Sequence, residues 1–414
     1  MRKYNLLIIF ILFLFIYEPP LFKVNVLHII GVFSWIYIFI NNKSILNVMN
    51  LKTIIRTYVI LFIFLIYLAI VTLYNGNSIL NTFSFVYWII DIFPISLMLC
   101  LHFSRKKYSF YDFLNILLIT GSLQALTALI SLISPSVKEF FLYKLINYGY
   151  SDRFIDLSNL RMYGFASNLT YSTPILQAVM ASISVYLAIN KGGKYIFFTP
   201  LLLFSAIINA RTSFIIFAIG IFAIIIASKK INIKSIIRLS IIGVALFITI
   251  NVGLSFLKNN ANETYDWVLT GFNEIVNLFE DGPNQTEGYF AYINSSERYI
   301  LPDDFGILFG VGERILSTNN YGVRSDIGYI NDIWLGGLLY TVFIYIYFIF
   351  ILNAIGRADG SNNRDTKFLY ILLLGTFFVS NIKGYIFVMN NMTNLLFLIF
   401  TFIAVRKNKY KINI

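Results

Sequence analysis

Apolar runs fill most of this chain, and short polar connections separate them. Twelve runs approach the roughly 20 residues that a helix needs to cross a bilayer, at about 4–18, 24–40, 54–74, 79–101, 111–134, 171–190, 195–210, 212–228, 235–257, 329–354, 367–381 and 385–405. Two longer polar stretches interrupt them, at about 135–170 and 258–328. The pattern predicts an all-α integral membrane protein with about 12 transmembrane helices and two long loops, in one polytopic domain covering 1–414.

Composition agrees with a membrane protein. Of the 414 residues, 13% are charged, against about 25% in soluble proteins. The net charge of +12 is explained by basic residues that flank the runs, so we expect no nucleic-acid partner. One cysteine and two histidines, none at ligand spacing, predict neither a disulfide framework nor a metal site.

The distribution of basic residues predicts a topology. If the N-terminus is cytoplasmic and the runs alternate, 21 of the 32 lysines and arginines fall on the inner side. The positive-inside rule then places both termini in the cytoplasm and both long loops on the outer face. Met1-Arg2-Lys3 and the following run, with no small-x-small cleavage site, are expected to form a retained first span. These features predict a multi-pass membrane protein.

The two predicted outer loops are rich in arginine. They contain Arg153, Arg161, Arg298, Arg314 and Arg324. The planar guanidinium fork suits phosphate, so the set points to an anionic headgroup or a pyrophosphate. For any single arginine, ordinary salt bridging with nearby acids is the alternative.

Three segments on the predicted outer face carry candidate chemistry. The first begins at Arg161, continues through Gly164, and reaches a predicted helix start at Ser172-Thr173-Pro174. The second is Asn209-Ala210-Arg211-Thr212-Ser213, a charged turn between two apolar runs. The third contains Phe309-Gly310-Val311-Gly312-Glu313-Arg314, then Arg324, Asp326, Tyr329 and Asp332, and ends at Gly336-Gly337.

Together these segments resemble the Wzy-type polysaccharide repeat-unit polymerases of the O-antigen polymerase and ligase superfamily. That family has an Arg-x-x-Gly element before a membrane helix, a small-Arg-Thr/Ser element at a short turn, and a Phe-Gly-x-Gly turn in the large loop. An acidic or histidine position and a glycine pair follow. Here Arg161 with Gly164, Arg211 with Thr212, Phe309-Gly310-Val311-Gly312, Asp326 with Tyr329, and Gly336-Gly337 occupy these places. The large loop has no histidine, and Asp326 stands where the ligase branch would have one, which favours a polymerase.

The resemblance implies a GT-C-like glycosyltransferase of polysaccharide and lipopolysaccharide biosynthesis, located in a bacterial inner membrane and without metal or cofactor. It would transfer a growing glycan from undecaprenyl or a similar polyprenyl pyrophosphate to a lipid-linked repeat unit. Its expected partners are that lipid-linked oligosaccharide, membrane lipid, a chain-length regulator and a flippase. The expected catalytic residues are Asp326 as base, with Glu313 and Asp332 next, and Arg211; pyrophosphate or substrate would contact Arg161, Arg298, Arg314, Arg324 and Tyr329.

Several residues keep a second interpretation. Asp326 could instead cap the tenth helix. Asp303-Asp304 could suggest a metal pair, but after Pro302 a turn is expected. Asp91, inside an apolar run and close to Pro94, could mark a functional site or a buried polar pair. The polar cluster 390–394 in the last run could bind sugar, although hydrogen bonding between helices is the simpler interpretation.

Three other functions compete with the polymerase. An O-antigen ligase would use related chemistry. A lipid-linked oligosaccharide flippase or another transporter could also have about 12 spans, but transporters usually show repeated halves with broken helices, and no internal repeat is evident. A purely structural subunit would leave the arginines and Asp326 unexplained.

Overall fold

The computed structural model describes residues 6–21, 24–41, 51–147, 160–162, 164–167, 171–228, 233–281, 295–315, 322–357, 364–388 and 390–411. Every regular element among these residues is helical. The α-helices are α1 Leu6–Tyr17, α2 Val26–Ile40, α3 Leu51–Tyr74, α4 Phe83–Tyr87, α5 Phe93–Arg105, α6 Phe110–Ile133, α7 Pro135–Asn147, α8 Ser172–Asn190, α9 Phe198–Ile207, α10 Thr212–Ala227, α11 Ile233–Asn260, α12 Asn262–Asp281, α13 Asp304–Phe309, α14 Gly328–Gly356, α15 Arg364–Lys383 and α16 Asn391–Lys411.

The helices support the predicted class of an α-helical membrane protein. Among the described residues, seven helices are long and apolar enough to cross a membrane: Thr53–Tyr74, Phe85–Arg105, Phe110–Ile133, Ser172–Asn190, Ile236–Asn260, Gly328–Gly356 and Arg364–Lys383. Five shorter apolar helices are Leu6–Tyr17, Val26–Ile40, Gly193–Ile207, Thr212–Ala227 and Asn391–Val405. Each of the twelve predicted runs therefore overlaps an apolar helix, while a count of twelve spans stays a prediction.

The predicted long loops contain helices of their own. The segment 135–170 includes α7, and the segment 258–328 includes α12 and the short α13. The last apolar run differs from its predicted extent, because it is helical only from Asn391 and residues 384–388 have irregular backbone. The polar cluster 390–394 therefore lies at the N-terminal end of α16 and not in the middle of a helix.

The chain forms two compact units, and the first comprises 1–30 and 102–273. Its centre is α8, in which Ser172 through Ile189 are all buried. The helix begins at Ser172 as predicted, with Pro174 in the first turn, where a missing backbone N–H costs no helical hydrogen bond. Gln177 Nε2 donates to Tyr17 Oη and to Gly121 O, both at 3.2 Å. These bonds connect α8 to α1 and α6.

The second unit comprises 31–101 and 274–414. Before α5 its chain passes through a π-helix, Trp88–Ile92, that contains Asp91. Pro94 has no N–H for the carbonyl of Ile90, and the indole of Trp35 donates to that carbonyl at 2.9 Å. Asp91 is buried against Gly31, where an added Cβ would lie 2.6 Å from Asp91 Oδ1. Asp91 is therefore packed closely on α2, and both interpretations of this residue stay predictions.

Candidate functional site

Two of the predicted arginines converge in the first unit. The guanidinium carbon of Arg161 lies 5.1 Å from the ring centroid of Trp267, and that of Arg211 lies 5.2 Å from the same ring. Both distances fall within the range of cation–π attraction. Arg211 Nη2 also donates to the carbonyl of Trp267 at 3.1 Å. The indole in α12 therefore holds two guanidinium groups that come from separate parts of the sequence.

The turn between α9 and α10 positions Arg211. Arg211 is the N-cap residue of α10, so its side chain leaves the chain where α9 has ended. Asn209 Nδ2 donates to Met162 O at 2.7 Å and to Ser205 O at 2.8 Å, which connects this turn to the segment that carries Arg161. An added Cβ at Gly271 would lie 2.6 Å from Arg211 Cδ. Only glycine at that position leaves room for the aliphatic part of Arg211.

Gly164 fixes the backbone close to Arg161. Its φ is +64°, and an added Cβ would lie 2.8 Å from Ala128 N and 2.7 Å from Thr127 Oγ1. The next amide, Phe165 N, donates to Thr127 Oγ1 at 3.2 Å. The predicted Arg-x-x-Gly element is therefore a tight contact between the loop and α6, which only glycine permits.

In the second unit the two glycine motifs meet. Val311 N donates to Trp334 O at 2.8 Å and Gly312 N to Leu335 O at 3.1 Å. Helix α14 is interrupted at Gly337, whose φ is +72° and whose added Cβ would lie 2.2 Å from Leu308 O. At Gly310, with φ +81°, an added Cβ would lie 2.5 Å from Gly336 Cα. The turn thus packs backbone to backbone on the break in α14.

Tyrosine and asparagine side chains complete the polar contacts of this turn. Tyr67 Oη lies 2.9 Å from Phe309 O and 2.9 Å from Gly336 O, and the two carbonyls share its single donated hydrogen. Asn77 Nδ2 donates to Val311 O at 2.6 Å. Where a helix is interrupted in an apolar environment, the backbone groups that lose their helical hydrogen bonds need other partners. Here Tyr67 of α3 and Asn77, which follows α3, are two of those partners.

Asp332 lies at the centre of a buried polar network in the first turns of α14. Its side chain is 0% exposed. Asn381 Nδ2 donates to Asp332 Oδ2 at 3.0 Å and hydrogen-bonds with Tyr345 Oη, while Asn381 Oδ1 accepts from Ile386 N at 3.0 Å. Asp332 Oδ1 has no hydrogen-bond partner among the described residues. Asn381 therefore links the carboxylate to the irregular segment between α15 and α16.

Arg314 is the cation of this network. It interacts electrostatically with Asp332, and its guanidinium carbon lies 5.1 Å from the ring centroid of Tyr385. Arg314 Nε and Nη2 are buried and have no hydrogen-bond partner in the described part of the chain. The buried Oε2 of Glu313 has none there either. The network thus combines buried charge with unused hydrogen-bonding capacity.

Asp326 has a different environment. It pairs with Arg324 at 3.9 Å, and the two side chains are 42% and 45% exposed. The N-cap residue of α14 is Ile327, and Asp326 precedes it by one position. An exposed carboxylate can be reached by a substrate hydroxyl, whereas the enclosed Asp332 cannot be reached in this conformation.

The other predicted residues have mainly structural contacts. Tyr329 Oη donates to Phe378 O at 2.9 Å, and its ring stacks on Tyr345 with centroids 5.5 Å apart. The carbonyl of Arg298 accepts from Ser325 Oγ at 2.7 Å. Asp303 is the N-cap residue of α13, and its side chain accepts from Gly306 N at 2.8 Å. This contact agrees with the expected turn after Pro302. No group of three or more metal-ligating side chains occurs among the described residues, and Arg153 lies outside them.

The structure adds four residues that the sequence analysis missed: Trp267, Asn381, Tyr345 and Tyr385. Trp267 had a detectable signal, because it lies on α12, the strongly amphipathic helix of the large polar stretch. The others had none, because asparagine and tyrosine in an apolar run have many possible roles. The chain matches no protein-family model, no curated protein and no solved structure. Membership of the polymerase family therefore stays a prediction from the motifs.

Proposed function

We propose that this protein is a polysaccharide repeat-unit polymerase that transfers a growing glycan from a polyprenyl pyrophosphate to a lipid-linked repeat unit. The observation that carries the proposal is the convergence of Arg161 and Arg211 on Trp267. In an apolar chain with 13% charged residues, two guanidinium groups on one ring form a concentrated positive site. Both arginines belong to the elements on which the family resemblance rests.

The reaction requires stabilisation of a leaving group. The bond between the anomeric carbon and the pyrophosphate oxygen breaks, and the electron pair leaves with the pyrophosphate. Charge develops on that oxygen in the transition state, where donors that are already oriented are most effective. Arg161 and Arg211 are oriented by Trp267, and Arg211 also by its hydrogen bond to the Trp267 carbonyl.

The acceptor hydroxyl requires a base. As its oxygen bonds to the anomeric carbon, its proton passes to a carboxylate within hydrogen-bonding reach. Among Asp326, Glu313 and Asp332, we assign this role to Asp326, because its exposed side chain is accessible to substrate. Asp332 is enclosed and interacts with Arg314 and Asn381, so we propose that it positions Arg314. Glu313 has one buried oxygen and ranks after Asp326.

One observation favours a second candidate, a lipid-linked oligosaccharide flippase or related transporter. Helix α14 is broken at Gly337, and the chain between α15 and α16 is irregular at 384–388. Transporters build substrate sites from such discontinuous helices. The polymerase remains the better proposal, because a transporter does not require paired arginines beside a large polar segment.

The test is the ladder of surface polysaccharide in the host strain before and after deletion of the gene. A polymerase predicts that deletion leaves acceptors carrying a single repeat unit. Loss of all transferred repeats, with polymer accumulating on the lipid carrier, would instead indicate a ligase. Repeat units trapped on the inner leaflet would indicate a flippase, and an unchanged ladder would overturn the assignment.

The variant Arg211→Ala sharpens the ladder experiment. We expect the variant to accumulate normally in the membrane and to give the ladder of the deletion strain, since Arg211 acts on the leaving group. A full ladder from Arg211→Ala at normal protein level would contradict the role of this arginine. The reaction class would still be decided by the ladder of the deletion strain, because that experiment does not depend on the role of Arg211.

A further inference from the structure

A cavity in the first unit lies beside Arg161 and has no role in the proposed chemistry so far. Its walls include Ser131, Lys138, Phe141, Leu145, Arg161 and Gly164. They come from the end of α6, from one side of α7 and from the Arg161 segment. The space measures about 260 Å³, including volume that is open to solvent. The cavity is therefore accessible to a ligand from outside the unit.

The walls have two chemical characters. Lys138 and Arg161 supply two cations, which attract an anion. Phe141 and Leu145 supply apolar surface: Leu145 is 2% exposed, and Phe141 stacks on Phe165 with ring centroids 4.9 Å apart. Such a combination suits a ligand with an anionic end and an apolar end.

Lys138 is the less expected of the two cations. Burial lowers the pKa of this lysine, and the negative charge of Glu263 partly opposes the change. Burial thus disfavours the charged ammonium group. A bound anion would offset this cost, and it would also interact with Arg161, which lines the same cavity.

We infer that this cavity binds the phosphate end of an amphiphile, with phosphate oxygens at Lys138 and Arg161 and the first part of an apolar chain against Phe141 and Leu145. The cavity is partly open to solvent, so its walls contact only the headgroup and the first part of the chain, and the rest of the chain lies outside.

This inference rests on the proposed function, which it deepens by adding Lys138 to the binding site of the lipid-linked substrate. Arg161 would belong to both the cavity and the ring contact with Trp267. A phosphate bound in the cavity would consequently lie beside the pair of guanidinium groups that we assign to the leaving group.

The test measures binding without catalysis. Purified full-length protein in a neutral detergent is titrated with dodecyl phosphate or with inorganic phosphate, and native mass spectrometry measures the bound fraction. We expect dodecyl phosphate to bind at least about 10-fold more tightly than inorganic phosphate, because the chain adds apolar burial. Equal affinity for the two probes would contradict the inference that the cavity binds an apolar chain together with the phosphate.

A matched pair of lysine variants locates the site. Lys138→Gln is expected to weaken binding of dodecyl phosphate by about 10-fold, the effect of one charge-assisted contact, and Lys138→Arg to retain it. Lys144→Gln is the control, because Lys144 lies on the same helix, against the Phe140 ring and not in the cavity wall. Equal losses for Lys138→Gln and Lys144→Gln, or no loss for Lys138→Gln, would overturn the site.

The two proposals fail in different ways. If deletion leaves the polysaccharide ladder unchanged while Lys138→Gln still weakens binding, the polymerase assignment fails and the cavity stands as an amphiphile site. If deletion gives single repeats while Lys138→Gln leaves binding unchanged, only the cavity inference fails. Absence of any dodecyl phosphate binding to the wild-type protein would also overturn the cavity inference.

Discussion

The polar region around Arg161 in the first unit and the polar network around Asp332 in the second unit differ in how far their charged groups are exposed. In the first unit, Arg161, Arg211 and Lys138 are partly exposed. Trp267 contacts both arginines, and Arg161 and Lys138 line an open cavity. In the second, Asp332 is 0% exposed, and Asn381 and Tyr345 surround it in a hydrogen-bonded network. The first region keeps positive charge accessible, whereas the second encloses charge and connects it to backbone.

The difference indicates that the accessible cations of the first unit bind a ligand, whereas the enclosed network of the second unit supports the fold. An accessible cation loses little hydration and can form new contacts with an anionic ligand. An enclosed carboxylate must have its interactions within the protein, because unpaired buried charge is costly. We therefore expect substitutions in the first unit to change activity more than folding. Substitutions around Asp332 are expected to change folding more than activity.

The contrast between accessible and enclosed charge is tested most strongly within the second unit, by the same change at two aspartates, the exposed Asp326 and the buried Asp332. We expect Asp326→Asn to lower polymerisation by about 10²–10⁴-fold, the typical contribution of a general base. It should change the free energy of unfolding by no more than about 1 kcal/mol, as for other exposed ion pairs. Asp332→Asn is expected to cost about 3 kcal/mol of stability, because it removes the carboxylate that faces Arg314.

Polymer synthesis in membranes and thermal unfolding in detergent measure the two effects. If Asp332→Asn is stable but inactive while Asp326→Asn stays active, Asp332 is the base and Asp326 is not. Normal chain length and rate in Asp326→Asn alone would show that another group is the base.

The next effect concerns the backbone that supports the enclosed network. Gly337→Ala combines a φ of +72° with a Cβ 2.2 Å from Leu308 O, and we expect it to destabilise the fold by about 3 kcal/mol or more. Gly76→Ala is the control, since Gly76 has a φ of +68° and no atom within 4 Å of an added Cβ. It should cost only about 1–2 kcal/mol. Equal melting temperatures for the two variants would refute the close backbone contact at Gly337.

A smaller effect distinguishes arginine from simple positive charge in the first unit. Arg211→Lys keeps the charge but loses the planar fork, and we expect about 100-fold slower polymerisation. Arg238→Lys is a matched control, because Arg238 donates to the carbonyls of Ala188 and Ile189 at the end of α8. It should change melting temperature and leave the rate per folded molecule unchanged. A rate that is equally low in both variants would point to a general effect on the unit.

The smallest expected effect is a pH dependence of ligand binding to the cavity. Burial lowers the pKa of Lys138, with Glu263 opposing, while Arg161 stays protonated throughout. Lys138 is charged below its lowered pKa, so binding of dodecyl phosphate should weaken as pH rises through that pKa, below the range of an ordinary lysine. Stability of the free protein should rise over the same interval, since the unfolded chain binds more protons there.

The control for this titration is Lys138→Arg, which stays charged across the interval. We expect its affinity for dodecyl phosphate to be independent of pH there. If the variant and the wild-type protein lose affinity together, another group is titrating and Lys138 does not contact the phosphate.

The sequence predicted the class of fold because membrane crossing depends on length and hydropathy along the chain. Most of the twelve apolar runs begin and end within a few residues of a helix in the structure, and the predicted helix start at Ser172 is correct for α8. The motifs also pointed to residues that the fold brings together, such as Arg161 with Arg211, and Phe309-Gly310-Val311-Gly312 with Gly336-Gly337. The helices within the two polar stretches and the irregular segment before Asn391 were not predicted.

Burial and partnership were decided by tertiary structure alone. Asp326 and Asp332 look equivalent in the sequence, yet one is exposed and the other enclosed. Nothing in the sequence indicated that Asn381 would connect Asp332 to Ile386 N, or that Lys138 and Arg161 would line the same cavity. Local composition determines which segments leave water, because each segment responds to its own hydropathy. The environment of a side chain depends on residues that are distant in sequence, and only the packed helices bring those together.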